Sequence, residues 1–173
     1  MPDAAHYSAL EHLRDGRPIT IRALRPEDRD AMLAAVERSS TQSLYLRFFA
    51  VKRHFSEKEI DHFVNIDFVS HVALVAVLGD EPRTIIGGGR YAMVRPGAAE
   101  VAFAVVDEYQ GQGLGRLLMR HLATIARAAG IAEFAAEVLP ANRPMLKVFE
   151  NSGWPMRTTR EGGVVHVSLR LSD

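Results

Sequence analysis

The 173-residue chain contains no cysteine, so it forms no disulfide, presents no thiolate nucleophile and builds no thiolate metal site. Its chemistry must rest on oxygen and nitrogen groups. It has no excess of charge of either sign: Lys plus Arg and Asp plus Glu number 21 each, which removes bulk attraction to nucleic acid or to an anionic membrane surface. No apolar run approaches the roughly 20 residues that span a bilayer. Asp3, His6, Glu11 and Arg14 stand where a signal peptide would need a basic segment followed by an apolar one. A cytoplasmic protein with no nucleic-acid and no membrane partner is expected. Seven histidines are present, but His54 and His62, or His62 and His71, lack ligand spacing on a shared helical face, so no metal is expected.

What is present suits one soluble globular domain: 47% hydrophobic and 24% charged residues. Residues 1–18 read as a mixed polar leader with about one turn of helix, and residues 19–173 as a single domain. Alternation at Ile19, Ile21 and Ala23 predicts a first strand. Pro26 opens a helix carrying Met32, Leu33 and Val36 and ending near Ser39 and Ser40. Ser56 with Glu59 forms a capping box for a helix over 57–66. Three strands follow, at 72–78, 85–94 and 101–106, separated by turn residues Gly79, Asp80, Pro82 and Pro96, Gly97. Such short connections suit antiparallel hairpins. A long amphipathic helix from Leu114 to a stop at Gly130, a fifth strand at 134–139, a helix at 142–151 and closing strands near 154–159 and 164–171 complete the pattern.

Between the fourth strand and the long helix lies Gln110-Gly111-Gln112-Gly113-Leu114-Gly115-Arg116. A strand, a glycine turn and a helix start present backbone N–H groups and a positive helix end to phosphate. The glycine spacing and the preceding meander do not fit a dinucleotide fold, and no Gly-Lys-[Ser/Thr] follows for a nucleotide-hydrolysing loop. The remaining pattern, Gln110-x-x-Gly113-x-Gly115, resembles motif A of the Gcn5-related N-acetyltransferase (GNAT) superfamily. A plain glycine turn with close packing is the alternative. The resemblance covers roughly residues 19–171 and extends to Asn142, Phe149, Gly153 and Trp154, which fill the places of a second family pattern, an Asn leading a helix that ends in Gly-aromatic.

The resemblance implies an α/β (α+β) GNAT fold, with a mixed, largely antiparallel sheet of six to seven strands splayed between the fourth and fifth and flanked by about four helices. It implies acetyl-CoA as acyl donor. The pyrophosphate would be held by the loop and helix start, Gln110 to Arg116, and pantetheine by Val105, Val106 and Asn142. Asn142 also suits the N-cap of its helix, and Arg116 also suits a solvated surface. The family's general base, a Glu on the fourth strand about ten residues before motif A, corresponds to Glu100, which alternation places on one side with Ala102 and Ala104. Glu137 is the competing carboxylate, with an edge or backbone-tying role as its alternative. Asp107 and Glu108 are expected to face solvent. The family's helix Tyr is replaced by Phe149, which cannot donate a proton to the departing thiol; Tyr109 or water would have to serve, or the thiolate would leave unaided.

For the acceptor, the stretches Ser43-Leu44-Tyr45-Leu46-Arg47-Phe48-Phe49, Ser56-Glu57-Lys58-Glu59 and His71-Val72-Ala73-Leu74-Val75-Ala76 resemble the catalytic domains of bacterial Pat-type protein lysine acetyltransferases. A protein lysine on an acyl-CoA synthetase is the implied acceptor. A small-molecule amine, an amino acid or an antibiotic is the alternative acceptor, and a non-catalytic acyl-CoA sensor a second alternative. The cluster Arg47, Lys52, Arg53, His54 suits an acidic partner, the adenosine phosphate of CoA or a solvated surface. Monomer and homodimer are both compatible with the closing strands.

Overall fold

The apolar run at 71–78 is long, β-branched and uninterrupted, which suits a strand covered on both faces. In the computed structural model, which describes residues 4–39, 55–79 and 84–171, it becomes β3 (His71–Leu78), buried from Val72 onward. The aromatic run 44–49, the basic residues Lys52, Arg53 and His54, and the turn residues Asp80 and Pro82 lie outside the described residues. On either side of β3, β2 (Pro18–Ala23) and β4 (Ile85–Arg95) pair antiparallel. β5 (Ala98–Val105) folds back on β4 through Pro96-Gly97, with Gly97 at φ 80°. The meander expected from the short turns is present.

The order of strands is β1-β2-β3-β4-β5-β6-β8-β7. The added strand, β1 (Ser8–His12), lies in the segment read as a leader and pairs antiparallel with β2 from Ser8↔Arg22 to His12↔Pro18. Its sequence, Ser-Ala-Leu-Glu-His, lacks the apolar alternation of a strand. Pairing with β2, not propensity, makes it one. The described residues therefore hold eight strands where six to seven were expected. β5 and β6 (Glu133–Val138) pair in parallel only at Ala98↔Glu133, Ala99↔Phe134 and Glu100↔Ala135. Beyond Glu100 the two strands part, which is the expected splay. β6 continues antiparallel with β8 (Val164–Arg170), and β7 (Met156–Glu161) closes the sheet on β8 through Gly162-Gly163.

One face of the sheet carries α1 (Arg29–Glu37), where Ala31, Met32 and Ala35 cover Ala73, Val75, Val77 and Ile85. Pro26 opens a 3-10 turn over Pro26–Asp28, and α1 begins only after it. The capping box of α2 (Glu57–Val64) is formed: the Glu59 N–H donates to Ser56 Oγ at 3.1 Å, and the Ser56 N–H donates to the Glu59 carboxylate at 3.1 Å. The other face carries α3 (Leu114–Ala128) and α4 (Arg143–Glu150). Leu114, Leu118, Leu122 and Phe149 pack there with Tyr91, Phe103 and Phe134.

α3 lies close to the sheet because β4 presents Gly87 and Gly89 beneath it. A Cβ at Gly89 would stand 2.7 Å from Phe103 Cδ1 and 3.0 Å from Leu122 Cδ1, and one at Gly87 2.9 Å from Leu114 Cδ2. The Phe103 ring and the helix would have to move. Gly89→Ala is expected to lower stability by about 1–3 kcal/mol through overpacking, read as a fall in Tm.

A partly buried ion pair fixes the entry to α1. Arg22 grips Asp28 with both Nη atoms at 2.8 Å, and the Arg25 N–H donates to the same carboxylate at 2.8 Å. Burial pushes the Asp28 carboxyl up, but the Arg22 and Arg25 hydrogen bonds outweigh it and hold the group below its ordinary value. A carboxyl depressed in the fold contributes stability above its unfolded pKa of 3.8, and that contribution is lost as pH falls through the folded value. Asp28→Asn is therefore expected to lower Tm at pH 7 and to narrow its difference from the parent chain as the pH falls below about 4.

Candidate cofactor cleft

The glycine loop takes backbone angles that other residues rarely adopt. Gly111 has φ 78° and Gly113 φ 81°, and Gly113 serves as the N-cap of α3 without a side chain to block its amides. The helix ladder begins with the Leu117 N–H donating to the Gly113 carbonyl at 3.2 Å. The N–H groups of Leu114, Gly115 and Arg116 precede that ladder and have no intrahelical acceptor. Gly115 serves packing: a Cβ there would meet Val148 Cγ2 at 3.2 Å, so its absence lets α3 rest on α4.

A cleft of about 1460 Å³ runs from this loop along β5 and β6. Val105, Val106, Gln110, Gly111, Gly113, Leu114, Gly115, Arg116 and Asn142 all lie on its wall, whereas Gln112 and Glu100 do not. Gln112 faces elsewhere: its carbonyl accepts from the Arg14 N–H at 3.1 Å and its Oε1 from the Asp15 N–H at 3.1 Å. Val106 is engaged by the fold, its N–H donating to Ile86 and its carbonyl accepting from Tyr109, both at 2.9 Å. The Gln110 amide donates to the Val105 carbonyl at 3.0 Å. Antiparallel alternation on β4 turns the remaining Val105 N–H, like the backbone of Phe103, toward the gap beside β6. Of the two residues expected to offer free strand groups, Val105 is the one with a group to offer.

Asn142 is the N-cap of α4, its Oδ1 accepting from the Met145 N–H at 3.4 Å, and it stands on the cleft wall as well. Phe149 is 1% exposed and meets the Phe103 ring edge to face at 6.3 Å, a packing role with no proton to give. Tyr109 is buried beside the loop, under the Arg17 guanidinium at 5.0 Å from its ring centre, and lines the cleft. Tyr91 is 1% exposed and stands off the cleft wall, so its phenol, pushed up to about 12 by burial, does not reach the cleft.

Glu100 is exposed at the last paired position before β5 and β6 part, in register with Ala92 on β4 and Ala135 on β6. Registered neighbours share a face, so Glu100, Ala102 and Ala104 stand on the same side as Ala135 and Glu137. Glu137 is on the cleft wall, with Oε1 3.7 Å from His166 Nδ1 on β8. Glu108 faces solvent, 3.7 Å from Arg38, but Asp107, expected to do the same, is both exposed and on the wall. On the side toward α1 and α2 the wall includes Met32, Val36, Phe55, Phe63 and Arg90, and the Arg90 guanidinium lies 5.1 Å from the centre of the Phe63 ring. Burial, then the charges of Arg90 and His62, hold the nearby His71 imidazole below its ordinary pKa.

Arg14 has no counterpart among the residues expected from sequence. It lines the cleft and donates from Nη1 to the Gly111 carbonyl at 3.0 Å, yet it comes from the turn between β1 and β2, almost a hundred residues earlier. Nothing in its surroundings in sequence marks it, since the hairpin that presents it is itself hard to read.

A parted pair of parallel strands, a glycine loop with free amides at the gap, and a long groove with more cations than carboxylates define an acyl-CoA-dependent transferase fold. The chain belongs to the acetyltransferase (GNAT) family, whose model matches residues 31–154. Its fold superposes on the crystal structure of the GNAT domain of S. lividans Pat with a TM-score of 0.87, at 37% identity, covering 94% of this chain and 96% of that one. An acetyltransferase of Pseudomonas aeruginosa is 35% identical over 138 residues, 79% of this chain and 74% of that protein. The acetyltransferase Pat of Mycolicibacterium smegmatis is 32% identical over 145 residues; the match takes in 82% of this chain but only 42% of that longer protein.

Gly113→Asp forces an L side chain into positive φ and sets a carboxylate where phosphate would approach. It is expected to remove CoA binding, measured by calorimetry, while circular dichroism shows the fold retained.

Proposed function

We propose that this N-acetyltransferase moves the acetyl group of acetyl-CoA to a lysine side chain of a protein, by direct attack of the amine, with Glu100 as the base. The observation that carries the acceptor is the likeness to the S. lividans Pat domain over nearly the whole of both chains. A small-molecule amine is the competing acceptor.

The residues fit the cofactor. Gly111 and Gly113 leave space and amides at a helix start, Arg14, Arg116, Arg143 and Lys147 bring positive charge to the cleft wall, and the Val105 N–H faces the gap. Bound there, acetyl-CoA would supply an activated thioester. The loop amides and the positive end of α3 would hold its diphosphate. Pantetheine would run between β5 and β6 in place of the missing strand pairing, with the Val105 N–H directed to its polar groups and Asn142 beside it.

An incoming lysine is an ammonium at neutral pH and has no lone pair until a proton is removed. Glu100, where the strands part, would accept that proton, with Ala92, Ala102 and Ala135 beside it on its face of the sheet. Because Glu100 stands off the cleft wall, the proton would pass through water. Glu137, nearer the cleft but shared with His166, is the alternative base.

Glu100→Gln is expected to lower kcat/KM at neutral pH by roughly a hundred- to ten-thousandfold, with acetyl-CoA affinity unchanged. Glu137→Gln should have the smaller effect, and the reverse ranking would transfer the role. Mass spectrometry of proteins incubated with the enzyme and acetyl-CoA, an acyl-CoA synthetase among them, tests the acceptor. Acetylation confined to free amines or amino acids would replace the protein-lysine reading.

A further inference from the structure

The turn joining β1 to β2 does more than close a hairpin. The Arg14 N–H donates to the Gln112 carbonyl at 3.1 Å, the Arg14 Nη1 to the Gly111 carbonyl at 3.0 Å and the Asp15 N–H to Gln112 Oε1 at 3.1 Å. The Arg17 guanidinium covers the ring of Tyr109, the residue before Gln110. In these three bonds the loop's groups, the Gly111 and Gln112 carbonyls and Gln112 Oε1, are all acceptors.

In a trans peptide the carbonyl and the following N–H point in opposite directions. With the Gly111 and Gln112 carbonyls both bound to Arg14, the N–H groups of Gln112 and Gly113 are turned away from the turn. These are the two amides that precede the first amides of α3, so the turn extends the row of donors a helix start offers to an anion. Arg14 also lines the cleft, and its Nη2 lies 3.8 Å from where a Gly113 Cβ would stand. The strand that leads into the turn is fastened to α3: Tyr7, just before β1, hydrogen-bonds His121, and Arg120 donates to Glu11 of β1 at 2.7 Å.

We propose that Arg14 is a cofactor-positioning residue, locking the glycine loop with its amides presented and setting its remaining guanidinium donors toward the diphosphate of acetyl-CoA. This rests on the acetyl-CoA reading of the cleft. It assigns to the segment before the first expected strand a part in cofactor affinity.

The test compares acetyl-CoA, dephospho-CoA and S-acetylpantetheine, which lacks the diphosphate. Arg14→Ala is expected to raise KM for acetyl-CoA, and Kd for dephospho-CoA, by roughly ten- to hundredfold, with kcat little changed. The kcat/KM for S-acetylpantetheine should match that of the parent chain, and Arg14→Lys should restore part of the loss. Gln112→Ala, which removes only the Asp15 contact, should raise KM by a few-fold. An equal loss with all three compounds would reduce Arg14 to a structural residue and overturn the proposal, as would unchanged binding in Arg14→Ala. If acetyl-CoA weakens but dephospho-CoA does not, Arg14 serves the 3′-phosphate and the loop-locking role fails. Failure of the parent chain itself to bind CoA would overturn the cofactor reading first.

Discussion

The parting of β5 and β6 after Glu100↔Ala135 is the constraint on which the rest of the molecule depends. Each strand keeps a full partner on its other side, β4 for β5 and β8 for β6, so the sheet does not fall apart when they separate. What separation leaves is a row of backbone donors and acceptors with no strand opposite them, a costly state unless something polar fills the gap. The protein meets part of this itself, with the Gln110 side chain on the Val105 carbonyl. The rest faces the cleft, and a chain of amides such as pantetheine has the alternating polar groups to complete it.

The gap is useful only because α3 starts beside it, and α3 sits there because of glycines that serve different ends. Gly87 and Gly89 thin the floor so that Leu114 and Leu122 reach the sheet, and Gly115 thins the helix so that Val148 of α4 can approach. Gly111 and Gly113 instead supply backbone angles. A helix held this firmly aims its dipole and free amides at one place, which is how rigid packing becomes affinity for an anion.

Where periodicity was strong, the sequence was legible. The α3 stripe, the capping box at Ser56 and the hairpin at Pro96-Gly97 are each marked by residues close together in sequence, and all three form. β1 was not legible, because an edge strand half covered by one neighbour needs no apolar alternation. Loop residues were legible by type and not by direction. Gly111 and Gly113 stand on the cleft wall, but Gln112 between them is turned to Asp15, and Val106 is bound into the fold beside Val105. Spacing marks a motif; which of its atoms face the ligand is decided by distant elements.

The cleft shows how that division shapes its chemistry. Beside the glycine loop its wall gathers cations from three separate elements, the β1–β2 turn, the start of α3 and α4, so this positive charge is assembled by the fold and not by one stretch of sequence. Toward α2 the cleft is bounded by Phe55 and Phe63, with Arg90 near the Phe63 ring and Glu137 on the wall, while Glu100 stands on the same face of the sheet but off the wall. Cations that would hold an anionic donor and a carboxylate that would serve a basic acceptor work best apart, because opposite charges brought together would pair with each other and not with their substrates. The splay provides that separation: the strands are paired at Glu100 and open at Val105, and α3 begins beyond the opening.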